Sequence, residues 1–225
     1  MESKRELTVA ALWQTPNSSL ALPFLQKYAY PWQALADLTV FLKELFAALP
    51  PERYSQIAPD VWVAENAKIE KSARLTGPCI ICEGAELRQG AFVRGGVLVG
   101  RGAVVGNSVE LKNCILFDGA QVPHFNYVGD SVLGYRAHMG AGAVTSNVKG
   151  NGSTVSIRIG EERIETGLRK CGAFLGDSAE IGCNCVLNPG TVIGRCAQVY
   201  PLLSVRGYVP PFSICKSPSN IVAKK

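Results

Sequence analysis

The feature that most constrains this chain is a six-residue repeat of large apolar residues. Stepping by six from Ile57 gives a large apolar residue at eleven consecutive positions, ending at Phe117. The residues four positions after each of these are mostly small, such as Ala67, Ala85 and Ala103. A period of six fits neither the 3.6-residue turn of a helix nor the two-residue alternation of a strand. The repeat therefore predicts a solenoid, because self-similarity at a fixed period is typical of repeat architectures.

The repeat slips in phase once and later continues in a second block. The slip of four residues falls at Pro123 and His124, the pattern resumes at Tyr127, and the second block runs from Leu175 to Val205. We expect three hexads to close one triangular coil, with the large residue of each pointing inward and the coils stacked at about 4.8 Å. The pattern resembles the left-handed parallel β-helix of hexapeptide-repeat proteins. The left hand is implied by that resemblance, since the general crossover rule gives the opposite hand.

The boundaries of the repeat divide the chain into three regions. Residues 1–56 form an N-terminal extension, 57–205 the β-helix and 206–225 a C-terminal tail. Within the extension, residues 31–49 predict a helix that begins with a proline and ends at Pro50-Pro51. Residues 148–170 interrupt the repeat and predict a projecting hairpin around Gly160. The proline-rich tail is expected to be irregular, as a cap or as an arm on a neighbour.

Composition excludes several classes of function. The net charge of +5 is mild and fits anionic small ligands, while no basic cluster with interleaved aromatics points to nucleic acid. No apolar run reaches membrane-spanning length and none reads as a secretory segment, so a cytoplasmic protein without membrane contact is expected. The 56 residues before the repeat leave no room for a nucleotidyltransferase domain, so that activity is not expected from this chain.

Metal chemistry is also not expected. Among the eight cysteines only Cys79 and Cys82 have the spacing of a zinc-ligand pair, and we predict buried reduced thiols. A zinc site of the carbonic-anhydrase kind needs three histidines, and the chain has only His124 and His138.

The position of His124 at the phase slip has two interpretations. A break in the hexads forms a loop where a general base can leave the packed prism, and neutral imidazole suits that role in acyl transfer. Acyl transfer would also need an oxyanion donor and cations for phosphate groups. A loop histidine beside a proline can equally be an exposed turn residue, and the pattern alone leaves both interpretations open.

Three motifs around this histidine resemble a known family. GNSVELK (106–112), HFNYVGDSVLG (124–134) and GAGAVTSN (140–147) look like the acetyltransferase domain of bifunctional glucosamine-1-phosphate acetyltransferase/N-acetylglucosamine-1-phosphate uridyltransferase. The match is in register from Arg94 to Asn147, looser as far as Arg206, and absent from residues 1–56. The whole chain also resembles a small bacterial hexapeptide-repeat family described as UDP-N-acetylglucosamine pyrophosphorylase-related.

The resemblance implies a role for each matching residue. His124 matches the general base that deprotonates the sugar amine, and Arg94 and Lys112 match residues that hold the sugar phosphate. The remaining implied contacts are Tyr127, His138 and Asn147 for the sugar, and Ala141, Asn147, Cys183 and Arg206 for CoA. Three positions depart from the family pattern. His138 replaces a sugar-binding asparagine, Cys183 a CoA-contacting serine, and Ser153 a lysine for which Lys149, Arg169 or Lys170 could substitute.

The resemblance implies an acetyl-CoA-dependent N-acetyltransferase acting on an amino-sugar 1-phosphate such as glucosamine 1-phosphate, in nucleotide-sugar biosynthesis. In the resembling family the sites lie between the prisms of a trimer, so a homotrimer is expected. The alternative is a non-catalytic sugar-nucleotide-binding or scaffold protein, for instance a partner of a separate nucleotidyltransferase. Transfer of another acyl group is a third hypothesis.

Overall fold

The computed structural model describes residues 4–224, and most of its ordered structure is short β-strands. The strands in chain order are β1 (Tyr54–Ala58), β2 (Val61–Ala64), β3 (Lys68–Ile69), β4 (Arg74–Leu75), β5 (Cys79–Ile81), β6 (Glu86–Leu87), β7 (Phe92–Val93), β8 (Val97–Val99), β9 (Val104–Asn107), β10 (Glu110–Leu116), β11 (Gln121–His124), β12 (Tyr127–Leu133), β13 (His138–Met139), β14 (Val144–Thr145), β15 (Ser156–Ile159), β16 (Glu162–Glu165), β17 (Ala173–Leu175), β18 (Glu180–Ile181), β19 (Val186–Leu187), β20 (Thr191–Ile193), β21 (Gln198–Val199), β22 (Ser204–Val205), β23 (Tyr208–Val209), β24 (Ser213–Ser217) and β25 (Asn220–Ala223).

Parallel pairing arranges these strands into the three faces of a left-handed β-helix, as predicted. The first face contains β2, β5, β8, the second halves of β10 and β12, β17, β20 and β23. The second face contains β3, β6, β9, β11, β13, β18, β21 and β24. The third face contains β4, β7, the first halves of β10 and β12, β14, β19 and β22. Each coil therefore passes through the three faces in turn.

The core of the prism is built by the predicted hexad residues, but its register differs from the prediction around His124. The inward residues step by six up to Leu111, then by five to Leu116 and again by five from Val128 to Leu133. Correspondingly, Cys114 is the register partner of Val97 in the preceding coil and of Ser131 in the following one. Each of these two successive coils therefore contains 17 residues instead of 18. The two omitted residues fall at the corners occupied by Asn113 and Asp130, which adopt left-handed backbone conformations.

The prediction of a single slip at Pro123-His124 is therefore wrong. The step from Val122 to Val128 is a regular six, and His124 lies at an ordinary corner. Phe117 packs outside the prism, Tyr127 points outward, and Ile57 lies 58% exposed on β1, which pairs antiparallel with β2. A six-residue pattern cannot separate one slip of four from two one-residue deletions, because both restore the same phase further on.

The N-terminal extension covers the outside of the first face. It contains two 3₁₀ segments, Lys4–Leu7 and Pro31–Ala36, and three helices, α1 (Val9–Leu12), α2 (Leu22–Leu25) and α3 (Leu38–Phe46). Outward side chains of the first face form one buried cluster with it, and the fully or almost fully buried ones include Ile80, Leu98, Ile115, Val132, Phe174 and Val192. The helix predicted over 31–49 is thus two shorter helical segments that meet at Asp37.

Polar contacts fix the extension to the β-helix. The Trp13 indole N–H donates to the Leu175 carbonyl at 2.9 Å, and its ring lies 5.3 Å from that of Phe117. One carboxylate oxygen of Asp177 accepts from the Thr15 hydroxyl and from the backbone N–H groups of Gln14 and Thr15, each at 2.9 Å. Because Asp177 is buried, these bonds replace the water that its carboxylate would otherwise need.

The insertion and the tail each add strands to the fold. β15 and β16 form an antiparallel hairpin that turns at Gly160-Glu161, as predicted. The tail is more regular than expected, because β23 and β24 continue the first and second faces and β25 folds back antiparallel on β24. Among the described residues, no helix has the length and apolar character needed to cross a membrane.

The eight cysteines are free thiols. Six are buried, as predicted: Cys79, Cys82, Cys114, Cys171, Cys185 and Cys215. Burial raises the pKa of the Cys79 thiol to about 12. The prediction is wrong for Cys183, which is exposed, and for Cys196, which is half-buried.

The corrected register gives a testable contrast between two residues that the six-residue pattern treats alike. Phe117→Ala should lower the free energy of unfolding by about 3–5 kcal/mol, since it empties a fully buried site between the extension and the β-helix. Ile57→Ala should change it by less than about 0.5 kcal/mol, because that side chain is exposed. Denaturant unfolding measures both, and equal losses would contradict the register.

Candidate functional site

Four of the predicted site residues line up along the third face. Arg94, Lys112 and Tyr127 project outward from it in successive coils, and Asn147 lies two residues after the end of β14. Lys112 is the register partner of Gly129, and the Tyr127 ring lies over Gly129, where any side chain would collide with the phenol. The glycine therefore leaves the space that brings the tyrosine ring beside Lys112.

Arg94 is an exposed cation that is already held in place. Its Nη1 lies 2.6 Å from the Glu110 carboxylate, and its guanidinium carbon lies 5.9 Å from the centre of the Phe92 ring. Lys112 is half-buried and makes no ion pair among the described residues. An oriented guanidinium fork beside a free ammonium group is an arrangement suited to a phosphate.

A hydrogen-bonded group behind the face orients Tyr127. The Asn147 amide nitrogen donates to the Tyr127 hydroxyl at 3.2 Å and to the Asp130 carboxylate at 2.5 Å. The other carboxylate oxygen of Asp130 accepts from the Asn113 amide at 2.8 Å. Burial, and then the negative charge of Asp130, raise the pKa of Tyr127, so the phenol stays protonated and can donate to a ligand. Asp130 is almost fully buried, which makes it a structural support rather than a ligand contact.

Three further predicted residues share the corner between the second and third faces. Gly142 N–H donates to the His124 carbonyl, Asn184 N–H to that of Ala141, and Leu202 N–H to that of Cys183, at 2.8–3.0 Å. His124, Ala141 and Cys183 thus occupy the same corner position in three consecutive coils. The structure brings the predicted base and two predicted CoA contacts into one line, beside the face that carries Tyr127.

The corner that carries His124 is stabilised by Asn126, which the sequence interpretation did not assign. The Asn126 side chain accepts from the His124 backbone N–H at 3.0 Å and donates to the carbonyls of Gly140 and Ala143 at 2.8 and 2.9 Å. Asn126 is almost fully buried, and its hydrogen bonds fix the backbone of the corner. The His124 side chain is exposed on this fixed backbone. An asparagine at a position otherwise filled by small apolar residues was the signal that could have indicated this role.

Two predicted residues lie away from this group within one chain. His138 is on the second face, where its Nδ1 lies 3.0 Å from the Glu180 carboxylate. Arg206 follows β22 at the far edge of the third face, and its Nη2 lies 3.3 Å from the Asn188 amide oxygen. A single chain therefore does not bring His138 to Arg94 and Lys112. The described residues contain no cluster of three or more histidine, cysteine or acidic side chains placed to hold a metal ion.

Comparison with known proteins finds relatives that are bifunctional sugar-1-phosphate enzymes. Residues 75–162 match the profile described as "GMPPB C-terminal domain". The chain is 38% identical over 94 residues to a bifunctional sugar-1-phosphate nucleotidylyltransferase/acetyltransferase of Sulfurisphaera tokodaii, an alignment that covers 42% of this chain and 23% of that protein. It is 33% identical over 183 residues to the bifunctional protein GlmU of Methanococcus maripaludis strain S2, covering 73% of this chain and 40% of that protein.

The resemblance stated from the three motifs is thereby confirmed, and the chain is a β-helix protein similar to these bifunctional enzymes. It spans less than half the length of the curated relatives above. Among solved structures, PerB from Caulobacter crescentus in complex with CoA and GDP-perosamine aligns with 87% of this chain and 71% of that chain, at 17% identity and a TM-score of 0.29. A structural similarity of that size does not bear on the site.

The support behind Tyr127 yields a prediction about stability. Asp130→Asn keeps the size of the side chain and its tolerance for a left-handed backbone, but it replaces one acceptor oxygen with an NH₂ donor that faces a neighbouring amide donor. The free energy of unfolding should fall by about 1–3 kcal/mol, because a buried donor loses its partner. Ser146→Ala, a half-buried change on the same face outside this group of side chains, is the control in denaturant unfolding. An Asp130→Asn variant as stable as the control would refute the supporting role.

Proposed function

We propose that this chain is an acetyl-CoA-dependent N-acetyltransferase that acts on an amino-sugar 1-phosphate. The observation that carries the proposal is the continuous stripe formed by the cations Arg94 and Lys112, by Tyr127, and by His124 at the adjacent corner. The similarity to bifunctional sugar-1-phosphate nucleotidylyltransferase/acetyltransferases supports the same activity.

Each group has a physical role in this reaction. The sugar phosphate binds to Arg94 and Lys112, while Tyr127 contacts the sugar ring. The imidazole of His124 takes the proton from the attacking amine as the nitrogen bonds to the thioester carbon. The CoA thiolate then leaves, and the acetyl group becomes an amide. Ala141 and Cys183 follow His124 along the corner, so CoA would lie along the stacked coils.

We also propose that the site is completed by other copies of the chain, in a homotrimer. The N-terminal extension covers the first face, which leaves the second and third faces of the prism bare for a neighbour. The corner between them exposes large apolar side chains, with Phe125 63% and Leu202 76% exposed. Packing the second face of one copy against the third face of the next would bring His138 and Glu180 towards the neighbouring copy's phosphate-binding cations.

The assignment of His124 is tested by a thiol-release assay with acetyl-CoA and glucosamine 1-phosphate. His124→Ala should lower kcat/KM by about 10²–10⁴-fold, the usual contribution of a general base. Gln89→Ala is the matched control, because Gln89 is an exposed residue at the same corner position two coils earlier. Equal rates in His124→Ala and wild type would reject the base. Binding of a sugar nucleotide without any thiol release by the wild type would favour the scaffold hypothesis.

The assembly is tested by analytical ultracentrifugation. The wild type should sediment at three times the chain mass of 24.1 kDa. Leu202→Asp should shift it towards the monomer and lower the rate of acetyl transfer, because a charge would be buried at the interface. Val40→Glu places a charge on an apolar side chain of similar exposure on α3, away from the open faces, and should change neither property. A wild-type monomer with full activity would contradict the proposal.

A further inference from the structure

The insertion hairpin and the β-helix enclose a basic cavity that the proposed chemistry does not use. The hairpin cavity has a volume of about 330 Å³ and is lined by Lys149, Asn151, Ser156, Arg158, Arg163 and Arg206. Four of these six residues are cations and none is an acid. Among the lining residues, the family resemblance relates Arg206 to CoA and offers Lys149 as a substitute for a missing lysine, and it assigns no role to the two hairpin arginines.

The hairpin holds its two arginines in an unfavourable arrangement. Arg158 and Arg163 are direct register partners across β15 and β16, and like charges at directly opposed positions destabilise a strand pair. The other side of β15 is buried, with Ile157 and Ile159 packed into the apolar cluster of the first face. The hairpin is therefore fixed by its apolar side, and its charged side cannot turn away from the cavity without losing that packing.

The lining cations are not neutralised by the protein. Other arginines of the chain, such as Arg53, Arg88 and Arg101, form ion pairs with glutamate or aspartate. Within residues 4–224, Arg158, Arg163 and Arg206 form no salt bridge. The Lys149 ammonium group donates to the Thr154 carbonyl at 2.6 Å, and the Arg206 guanidinium to the Asn188 amide oxygen at 3.3 Å. Both side chains are thus oriented by neutral acceptors and not by a carboxylate.

The acidic residues of the hairpin do not line the cavity. Glu162 binds Lys4 at 2.7 Å. Glu165 is on the arginine side of the hairpin opposite Ser156, but it does not line the cavity and forms no salt bridge among the described residues.

We propose that the hairpin cavity is a binding site for clustered phosphate groups, such as the diphosphate of a nucleotide or the phosphates of CoA. Planar guanidinium groups bind phosphate oxygens in pairs, and several cations without an acid match a ligand with more than one negative charge. A bound polyanion would also remove the repulsion between Arg158 and Arg163.

The position of the cavity allows either source. β22, which precedes Arg206, is three strand pairings from Tyr127, or about 14 Å along the stack at the usual strand spacing. A long acyl carrier with its thioester near His124 could therefore place its phosphorylated end here. The CoA interpretation rests on the proposed function, whereas the phosphate site itself does not.

Isothermal titration calorimetry on the full chain tests the site, with inorganic pyrophosphate as the first probe. Arg158→Gln/Arg163→Gln should raise the Kd for pyrophosphate by at least about tenfold, the effect of losing charge-assisted hydrogen bonds. Lys68→Gln/Lys71→Gln removes two exposed charges from the first coil and should leave the Kd unchanged. Absence of pyrophosphate binding to the wild type, or an equal loss in both double variants, would overturn the proposal.

Two further measurements keep a folding defect apart from a binding defect. The ligand-free Tm of the double arginine variant should equal or exceed that of the wild type, because the cross-strand repulsion is relieved. Arg206→Gln, on the β-helix and outside the hairpin, should also weaken pyrophosphate binding. Undiminished affinity in Arg206→Gln would count against the site whatever the Tm of the hairpin variant.

The source of the phosphates is distinguished by CoA, dephospho-CoA and UDP. For each ligand, the affinity of the Arg158→Gln/Arg163→Gln variant is compared with that of the wild type. A loss of affinity for CoA that is much smaller for dephospho-CoA identifies the 3′-phosphate as the occupant, and equal losses for the two ligands identify the CoA diphosphate. A loss for UDP alone identifies a nucleotide. A chain that binds pyrophosphate through these arginines but releases no thiol from acetyl-CoA would retain the phosphate site while rejecting the acetyltransferase.

Discussion

The stacking of each inward side chain on its counterpart in the next coil is the constraint on which the rest of the structure depends. Parallel strands in adjacent coils lie about 4.8 Å apart, so a side chain that leaves the register uncovers the one beneath it. The chain meets this constraint with residues such as Leu87, Val105 and Val122, all fully buried. Everything on the outside of the prism is then fixed in position by residues that point inward.

The same constraint explains how the candidate site arises from distant parts of the sequence. Residues about 17 or 18 apart in sequence become neighbours along one face, which is how Lys112 comes to lie beside Gly129. The two shortened coils do not disturb this stacking, because each omitted residue is taken from a corner and not from a strand. Those corners instead carry Asn113 and Asp130, whose side chains bridge consecutive coils behind the Tyr127 ring.

Because the extension covers only the first face, the outside of the prism has a covered side and an open side. The extension buries the outward side chains of the first face, Phe174 and Leu98 among them, and leaves the second and third faces for other contacts. The apolar corner at Phe125 and the polar stripe at Arg94 and Lys112 lie on this open side. The hairpin, inserted in the sequence between two coils, packs its apolar side into the cluster of the first face and adds its arginines near the far end of the same stripe. The covered side holds the chain together, and the open side carries the groups to which we assign function.

The sequence by itself determined the solenoid, the insertion hairpin and the residue types of the candidate site. A period of six over many coils has few other physical explanations, and the motifs around His124 had matching relatives. The exact register could not be read, because one slip and two deletions leave the same pattern. The tertiary structure alone decided that His124 leaves the core at an ordinary corner, that Asn126 and Asp130 support the site, and that His138 faces another side of the prism. These depend on which strands pair and on which corner loses a residue, and the free energies that decide them come from contacts between coils rather than from any local stretch of chain.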